Sequence, residues 1–420
     1  MEKSLDRKLR SIHADPSGSK EFILADAKDA DMAFGIGAPG LSPERHDSEL
    51  RFKTLAEYRQ QIREVAKQGI VDIVLMSAST SELLTIDERL FENSAVTPAA
   101  RANDATDVHI ARGGRIYTEA ARPFRTAGID HMQCGHIDCK PEERRLGVDL
   151  GLYSVTFNNQ LELDHRTLIE YNAFRQEAER KGFRHFLEIF DPNLPGAVPA
   201  EQQPGFINDL VARTLAGVTK SERPVFLKMV YHGPKALEEL VAYDPHLVVG
   251  ILGGAAGTTH DAFRLIYEAR KYGARAALFG RKINQAENQL AFIEFLRHIA
   301  DGLIEPEEAV RAYHAVLAKL DLKPHRPLDK DLEFQTAVMN YSGSSTTIST
   351  PAPTRTNHGA PTGRSKRTPH SVSASSAGGE ASRLSGAPLA NCAAVPDFAK
   401  MTSAERLAYH RDRLNRQFGG

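Results

Sequence analysis

The chain has 420 residues, 41% of them hydrophobic and 25% charged, with a formal net charge of −1. That balance is ordinary for a globular protein, and a charge so near zero argues against bulk nucleic-acid binding. No apolar run approaches the roughly 18 residues of a membrane-spanning helix. The charged start, MEKSLDRKLR, has no apolar stretch behind it, so no secretory signal is expected. Three cysteines, Cys134, Cys139 and Cys392, cannot build a disulfide framework, and the expected location is the cytoplasm.

In chain order, the first 340 residues hold eight short, β-rich apolar runs, at 22–25, 70–76, 96–102, 148–153, 185–190, 225–230, 247–252 and 276–279. Amphipathic stretches separate several of them. Residues 55–67 place Leu55, Tyr58, Ile62 and Val65 on one stripe, and 168–181 and 261–272 behave alike. The connections at 81–94 and 104–147 are less regular. Apolar strands alternating with helices predict an α/β fold with a parallel sheet covered by helices. Eight such units in about 280 residues fit a closed (β/α)8 barrel, the TIM barrel. A doubly wound open sheet would want a glycine-rich loop after its first strand, and Gly35-Ile36-Gly37 is too weak and too distant to serve. Residues 307–320 read as an added helix.

Composition changes near Met339. Residues 341–395 are rich in Ser, Thr, Ala, Gly and Pro and cannot bury enough surface to offset their ordering entropy, so they read as a disordered linker. Arg355, Arg364, Lys366 and Arg367 fit solvated linker charges better than an anion site. Residues 396–420 regain helical character. Thr402 and Glu405 fit a capping box, Leu407, Leu414 and Phe418 recur at near-helical spacing, and Gly419 suits a C-cap. The organisation expected is a barrel at 1–340, a linker at 341–395 and a short terminal helix at 396–420.

Barrel chemistry collects at the C-terminal ends of the strands. Polar residues that interrupt or end the apolar runs are therefore the candidates. The sixth run reads PVFLKMVY, with Lys228 inside it. An ammonium there is costly unless paired, and desolvation favours the neutral amine, which can attack a carbonyl. The functional reading is a Schiff-base lysine; the competing one is a structural ion pair. The fifth run, FLEIFDP, carries Glu188, which can meet Lys228 across adjacent strands and move protons, or serve only as its counter-ion. The first run ends in Asp26 and Lys28, both candidates for the site, whereas Asp29 and Asp31 fit loop or capping roles. After the seventh run stand Gly253 and Gly254, and after the eighth Gly280 and Arg281. Glycines let backbone amides approach a phosphate, and consecutive placement after strands seven and eight is where barrels often bind one. Turn chemistry alone is the other reading.

The segment IDHMQCGHIDCK at 129–140 holds His131, Cys134, His136, Asp138 and Cys139, all zinc-capable residue types. Their spacing matches no standard structural site. The expectation is no metal, with these residues lining or covering the barrel mouth.

At LKMVYHGP (227–234) the chain resembles the class I, Schiff-base aldolases of the DeoC/LacD type, including tagatose-bisphosphate aldolase and the archaeal-type fructose-bisphosphate aldolase. GARAALFGRKINQAENQ (273–289) is similar to that family's last strand and Gly-Arg phosphate loop. FLEIFDP (186–192) resembles the strand with the glutamate of the tagatose enzymes, and LADAKDADM (24–32) the first strand with its aspartate. The resemblance spans roughly residues 22–300. It implies a (β/α)8 barrel that needs no cofactor or metal and cleaves or forms a C–C bond beside a ketone. It also implies a sugar-phosphate substrate, with a homo-oligomer the expected assembly and neither membrane nor nucleic acid a partner. In this reading Lys228 attacks the ketone, Glu188 moves protons, and Asp26 and Tyr153 orient hydroxyls. Lys28, Gly253, Gly254, Gly280 and Arg281 hold the phosphate. Two features depart from the family pattern. In GLYSVTFN (151–158), Tyr153 matches an earlier tyrosine of the fourth strand and Thr156 stands where the archaeal-type proton donor would be. The stretch from Arg101 to Asp107, with Arg112 and Arg115, fits no assigned pattern. The alternatives are a transaldolase-like transfer and a non-catalytic barrel that senses sugar phosphate. Because 341–395 lacks core-forming residues, a chain ending at Asn340 is expected to keep its melting temperature within a few degrees, as checked by differential scanning calorimetry.

Overall fold

A computed structural model describes residues 1–42, 51–109, 111, 119–254, 257–335 and 405. The chain divides into two units, Met1–Arg355 and Thr356–Gly420. Apart from Glu405, the linker and terminal-helix assignments, and Cys392, lie outside the described residues, as do Arg112 and Arg115. Among the described residues no helix is long and apolar enough to cross a membrane.

Eight parallel strands close into a barrel: β1 Ile23–Lys28, β2 Ile73–Met76, β3 Thr97–Arg101, β4 Leu150–Thr156, β5 Arg184–Phe190, β6 Leu227–Met229, β7 Gly250–Leu252 and β8 Ala276–Phe279. Each pairs with its sequence neighbours, and β1 pairs with β8 to close the ring. All eight overlap the runs read from the sequence. The helices Leu55–Gln68, Leu161–Lys181, Thr259–Lys271 and Pro306–Lys319 contain or closely match the predicted amphipathic stretches. Thr54 and Glu57 cap the first of these reciprocally, as Thr258 and Asp261 cap the third. The two irregular connections hold a π-helical turn at Glu82–Asp87, a small antiparallel pair of Asp104–Ala105 with Pro123–Phe124, and the short helix Ile129–Cys134.

Period two divides the strand side chains into two cores. Ile23, Ala25, Ile73, Leu75, Ala99, Leu150, Leu152, Phe186, Phe226 and Leu278 fill the barrel interior. Leu24, Val74, Met76, Ala100, Tyr153, Leu187, Met229 and Phe279 face the helices. The registers agree: Ala25 pairs with Ile73 and Leu278, whereas Asp26 pairs with Val74 and Phe279.

The N-terminal helix Ser4–Ala14 joins the interior cluster through Leu5, Leu9 and Ile12. The charged start of the chain is thus an amphipathic plug, a role its composition hid but its i, i+4, i+7 spacing carried. Lys8 is pinned beside it, donating to Asp72 Oδ2 at 2.8 Å and to the Phe22 carbonyl at 2.9 Å. Leu5 is fully buried, so Leu5→Ala is expected to cost about 2–5 kcal/mol in denaturant unfolding.

Candidate active site

The site is built on inward positions of neighbouring strands. The stacked rings of Phe186 and Phe226, centroids 4.6 Å apart, lie in the barrel interior. Two residues further along each strand, at the next inward position, stand Glu188 and Lys228. Lys228 Nζ lies 2.5 Å from Glu188 Oε1, and both side chains are more than nine-tenths buried. Beyond them Phe190 and Val230 cluster with Leu252, Ala105 and Val108. The charged pair therefore sits between two apolar layers.

Its polar surroundings are completed by residues assigned no role from the sequence. Ser154, paired with Glu188 in the β4–β5 register, donates its hydroxyl to Glu188 Oε2 at 2.6 Å. Arg101, the last residue of β3, donates to Ser154 Oγ at 3.1 Å and to the Asn103 carbonyl at 3.2 Å. Its Nη2 lies 3.6 Å from Glu188 Oε2, and its Nε donates to Asp29 Oδ2 at 2.6 Å. Burial opposes the guanidinium charge, but the Asp29 and Glu188 carboxylates more than offset it and raise the Arg101 pKa. Asn103 exchanges two hydrogen bonds with the Ser154 backbone, at 2.6 and 2.8 Å, and so locks β3 to β4 beside the pair.

Asp107 and Thr156 meet at the same end of the barrel, the Thr156 hydroxyl donating to Asp107 Oδ2 at 3.0 Å. Asp107 Oδ1 is buried with no hydrogen-bond partner among the described residues. Burial pushes the Asp107 carboxyl up to about 6; the Thr156 hydrogen bond opposes this and the Glu188 charge adds to it. Past the ends of β5 and β6, His232 Nε2 lies 2.8 Å from Asp191 Oδ1.

One cleft is lined by Asp29, Arg101, Glu188 and Lys228 together with Gly253, Gly254, Gly280 and Arg281. Two of these glycines, Gly253 and Gly280, are sterically required. A Cβ on Gly253 would stand 2.2 Å from the Phe279 ring, and one on Gly280 would stand 2.7 Å from the Ala27 carbonyl oxygen. Lys282 ties the two loops together, donating to the carbonyls of Gly257 at 2.7 Å and Thr258 at 3.1 Å, and burial lowers its pKa to about 8. Arg281 lies over the Phe34 ring, 5.8 Å from its centroid.

Three sequence candidates do not join this cluster. Asp26, Lys28 and Tyr153 occupy the odd register and face the helices. Lys28 is fully buried there, 3.2 Å from Asp26 Oδ2 and 3.1 Å from Gln289 Oε1, with Asn284 a further partner. Burial raises the Asp26 carboxyl to about 6 against the opposing charge of Lys28, and burial lowers the Lys28 pKa. Tyr153 stacks on Phe174 at 4.5 Å, and burial raises its pKa. The residue of the first strand region that does reach the site is Asp29, which continues the inward series of Ala25 and Ala27. Counting by twos groups it with the alanines, but only the closed barrel shows that this set faces inward. The Cys134–Cys139 segment also departs from expectation. It does not cover the mouth, because it leads into the start of β4, at the opposite end of the barrel from Lys228.

No family model matches the chain, and no curated protein matches it. Solved structures do. A fructose-bisphosphate aldolase from Slackia heliotrinireducens DSM 20476 is similar with 14% identity and a TM-score of 0.52, over 74% of this chain and 91% of that one. A Schiff-base-forming fructose-1,6-bisphosphate aldolase aligns with 15% identity and a TM-score of 0.51, over 72% of this chain and all of that one. An archaeal fructose 1,6-bisphosphate aldolase gives 15% identity and a TM-score of 0.50, over 71% and 100%. At such identities the likeness establishes a shared (β/α)8 fold.

Asp107 yields a prediction with a definite sign. Its folded pKa, about 6, exceeds the usual carboxylate value, so its stabilising contribution is complete below about pH 4 and is lost as pH rises through 6. Relative to the parent, Asp107→Asn is therefore expected to gain stability between about pH 4 and 7, as read from urea midpoints across that range.

Proposed function

We propose that this barrel is a Schiff-base aldolase acting on a phosphorylated keto-sugar or a related anionic sugar. The observation that carries the reading is the Lys228–Glu188 pair, 2.5 Å apart and open to the glycine-lined cleft. A buried lysine with an acceptor carboxylate in contact can lose its proton to that carboxylate and attack a ketone carbon. The carbinolamine then expels water, with Glu188 returning the proton to the departing hydroxyl. The resulting iminium accepts the electron pair of the breaking C–C bond. The hydroxyl on the leaving carbon gives its proton to Glu188 as an aldehyde departs, an enamine remains, and return of that proton to the enamine carbon followed by hydrolysis returns the free amine.

The other groups divide the work. Arg101 and Ser154 hold Glu188 in place, and Asp29 fixes Arg101. The backbone at Gly253, Gly254 and Gly280, with Arg281, supports the binding of an anionic group across the cleft from Lys228. Asp107 and Thr156 are suited to a substrate hydroxyl at the mouth. The fold shared with Schiff-base-forming aldolases supports the reading without fixing the sugar.

Incubation with dihydroxyacetone phosphate and borohydride is expected to leave a covalent adduct on Lys228, mapped by peptide mass spectrometry. An adduct on another lysine would overturn the assignment to Lys228, and binding of ketose phosphates with neither adduct nor turnover would favour a sensing barrel. Glu188→Gln is expected to lower kcat by about 10²–10⁴-fold. A buried pair with only a structural role would instead cost about 3–5 kcal/mol of stability when broken. Parallel measurement of turnover and melting temperature separates the two.

A further inference from the structure

We propose that the loop between the helix Ile129–Cys134 and strand β4 is a structural site for a thiophilic divalent cation, zinc foremost, with Cys134, Cys139 and Glu143 as ligands and His136, beside Glu143 but outside that close cluster, swinging in as the fourth. The two Sγ atoms and a Glu143 carboxylate oxygen all lie within 4.8 Å of one another, and both cysteines are buried. Tetrahedral zinc holds sulfur at about 2.3 Å, which sets neighbouring ligand atoms about 3.8 Å apart. The cluster therefore closes onto a cation with shifts of about 1 Å. Two sulfurs with one nitrogen and one oxygen suit zinc, and they suit calcium or magnesium poorly.

The remaining contacts of these groups leave the needed atoms available. His136 Nδ1 lies 2.8 Å from the Ile137 carbonyl, which places the ring proton on Nδ1 and a lone pair on Nε2. That Nε2 stands 3.7 Å from Glu143 Oε1. Glu143 Oε2 accepts the Lys140 amide at 3.0 Å, and the carboxylate keeps further lone pairs for a cation. The thiols make weak contacts, with each other and, for Cys134 Sγ, with the His136 carbonyl at 3.4 Å and, for Cys139 Sγ, with the Lys140 carbonyl at 3.8 Å. The loop is shaped to bring both sulfurs to one side. Gly135 ends the helix at φ 85°, and Asp138 turns the chain at φ 58°. The Asp138 amide donates to Asp130, itself paired with Lys181 at 2.5 Å.

The site stands at the N-terminal end of the barrel, so its cation would brace the loop before β4 and take no part at Lys228. The inference is independent of the proposed reaction. Its test is titration of the reduced, full-length protein with Co²⁺ in the absence of oxygen. The expected result is one equivalent bound with near-ultraviolet sulfur-to-cobalt charge-transfer absorption, displaced by Zn²⁺ and unchanged by Cys392→Ser. Cys134→Ser and Cys139→Ser are expected to abolish that absorption. Glu143→Gln, at a partly exposed position, is expected to fold and to weaken binding at least about tenfold. Absence of the band with Co²⁺ in excess, or its persistence in the Cys134→Ser/Cys139→Ser double variant, overturns the proposal. So does a purified protein with a Cys134–Cys139 disulfide that takes up no cobalt after reduction.

Discussion

A lysine ammonium and a glutamate carboxylate 2.5 Å apart inside a closed barrel impose a demand on everything around them. Taking both ions out of water is repaid only when the remaining lone pairs and donors are also matched. Here Ser154 and Arg101 answer Glu188, and Asp29 answers Arg101. Two cations and two carboxylates balance, and four of the eight strand regions contribute to that balance. An apolar floor at Phe186 and Phe226 and an apolar rim at Phe190, Val230 and Leu252 bound the group along the barrel axis.

The strand alternation decides which polar residues can take part. Asp26 and Lys28 form a second buried pair only one residue out of step with Ala25, Ala27 and Asp29. That single step sends them to the helix layer, where Lys28 holds Asn284 and Gln289 and so fastens β1 to the segment after β8. The same shift separates Tyr153, packed among Phe174 and Tyr171, from Ser154 at Glu188. Identity of residue type says little about role in a barrel strand; parity says most of it.

The two ends of the barrel are built differently. At the N-terminal end Leu5, Leu9 and Ile12 close the interior, and Asp72 gathers Lys8 at 2.8 Å and Arg297 at 3.4 Å. The thiol-bearing loop before β4 belongs to this bracing end. At the other end the connections are short of side-chain bulk: Gly253 and Gly280 leave no room for a Cβ, and the cleft opens between them and Lys228. The bracing contacts and the Lys228 cleft thus lie at opposite ends of one closed sheet.

The strands were legible in the sequence because a strand buried on both faces must be apolar at nearly every position, so eight such runs stand out without any contact being known. Lys228 and Glu188 were legible for the same reason, as charges set where only apolar residues are otherwise tolerated. Their adjacency followed from the order of the runs. What the sequence alone left open was the direction in which each polar residue points. A run apolar on both faces carries no alternation from which to read parity, so Asp26, Lys28 and Tyr153 looked as well placed as Asp29 and Ser154. Arg101 and Asp107 were hidden further, because the partners Asp29, Ser154 and Thr156 lie 49 to 72 residues away in sequence. Only closure of the barrel, by setting the register of each strand against its neighbours, decided which side chains share the interior with Lys228.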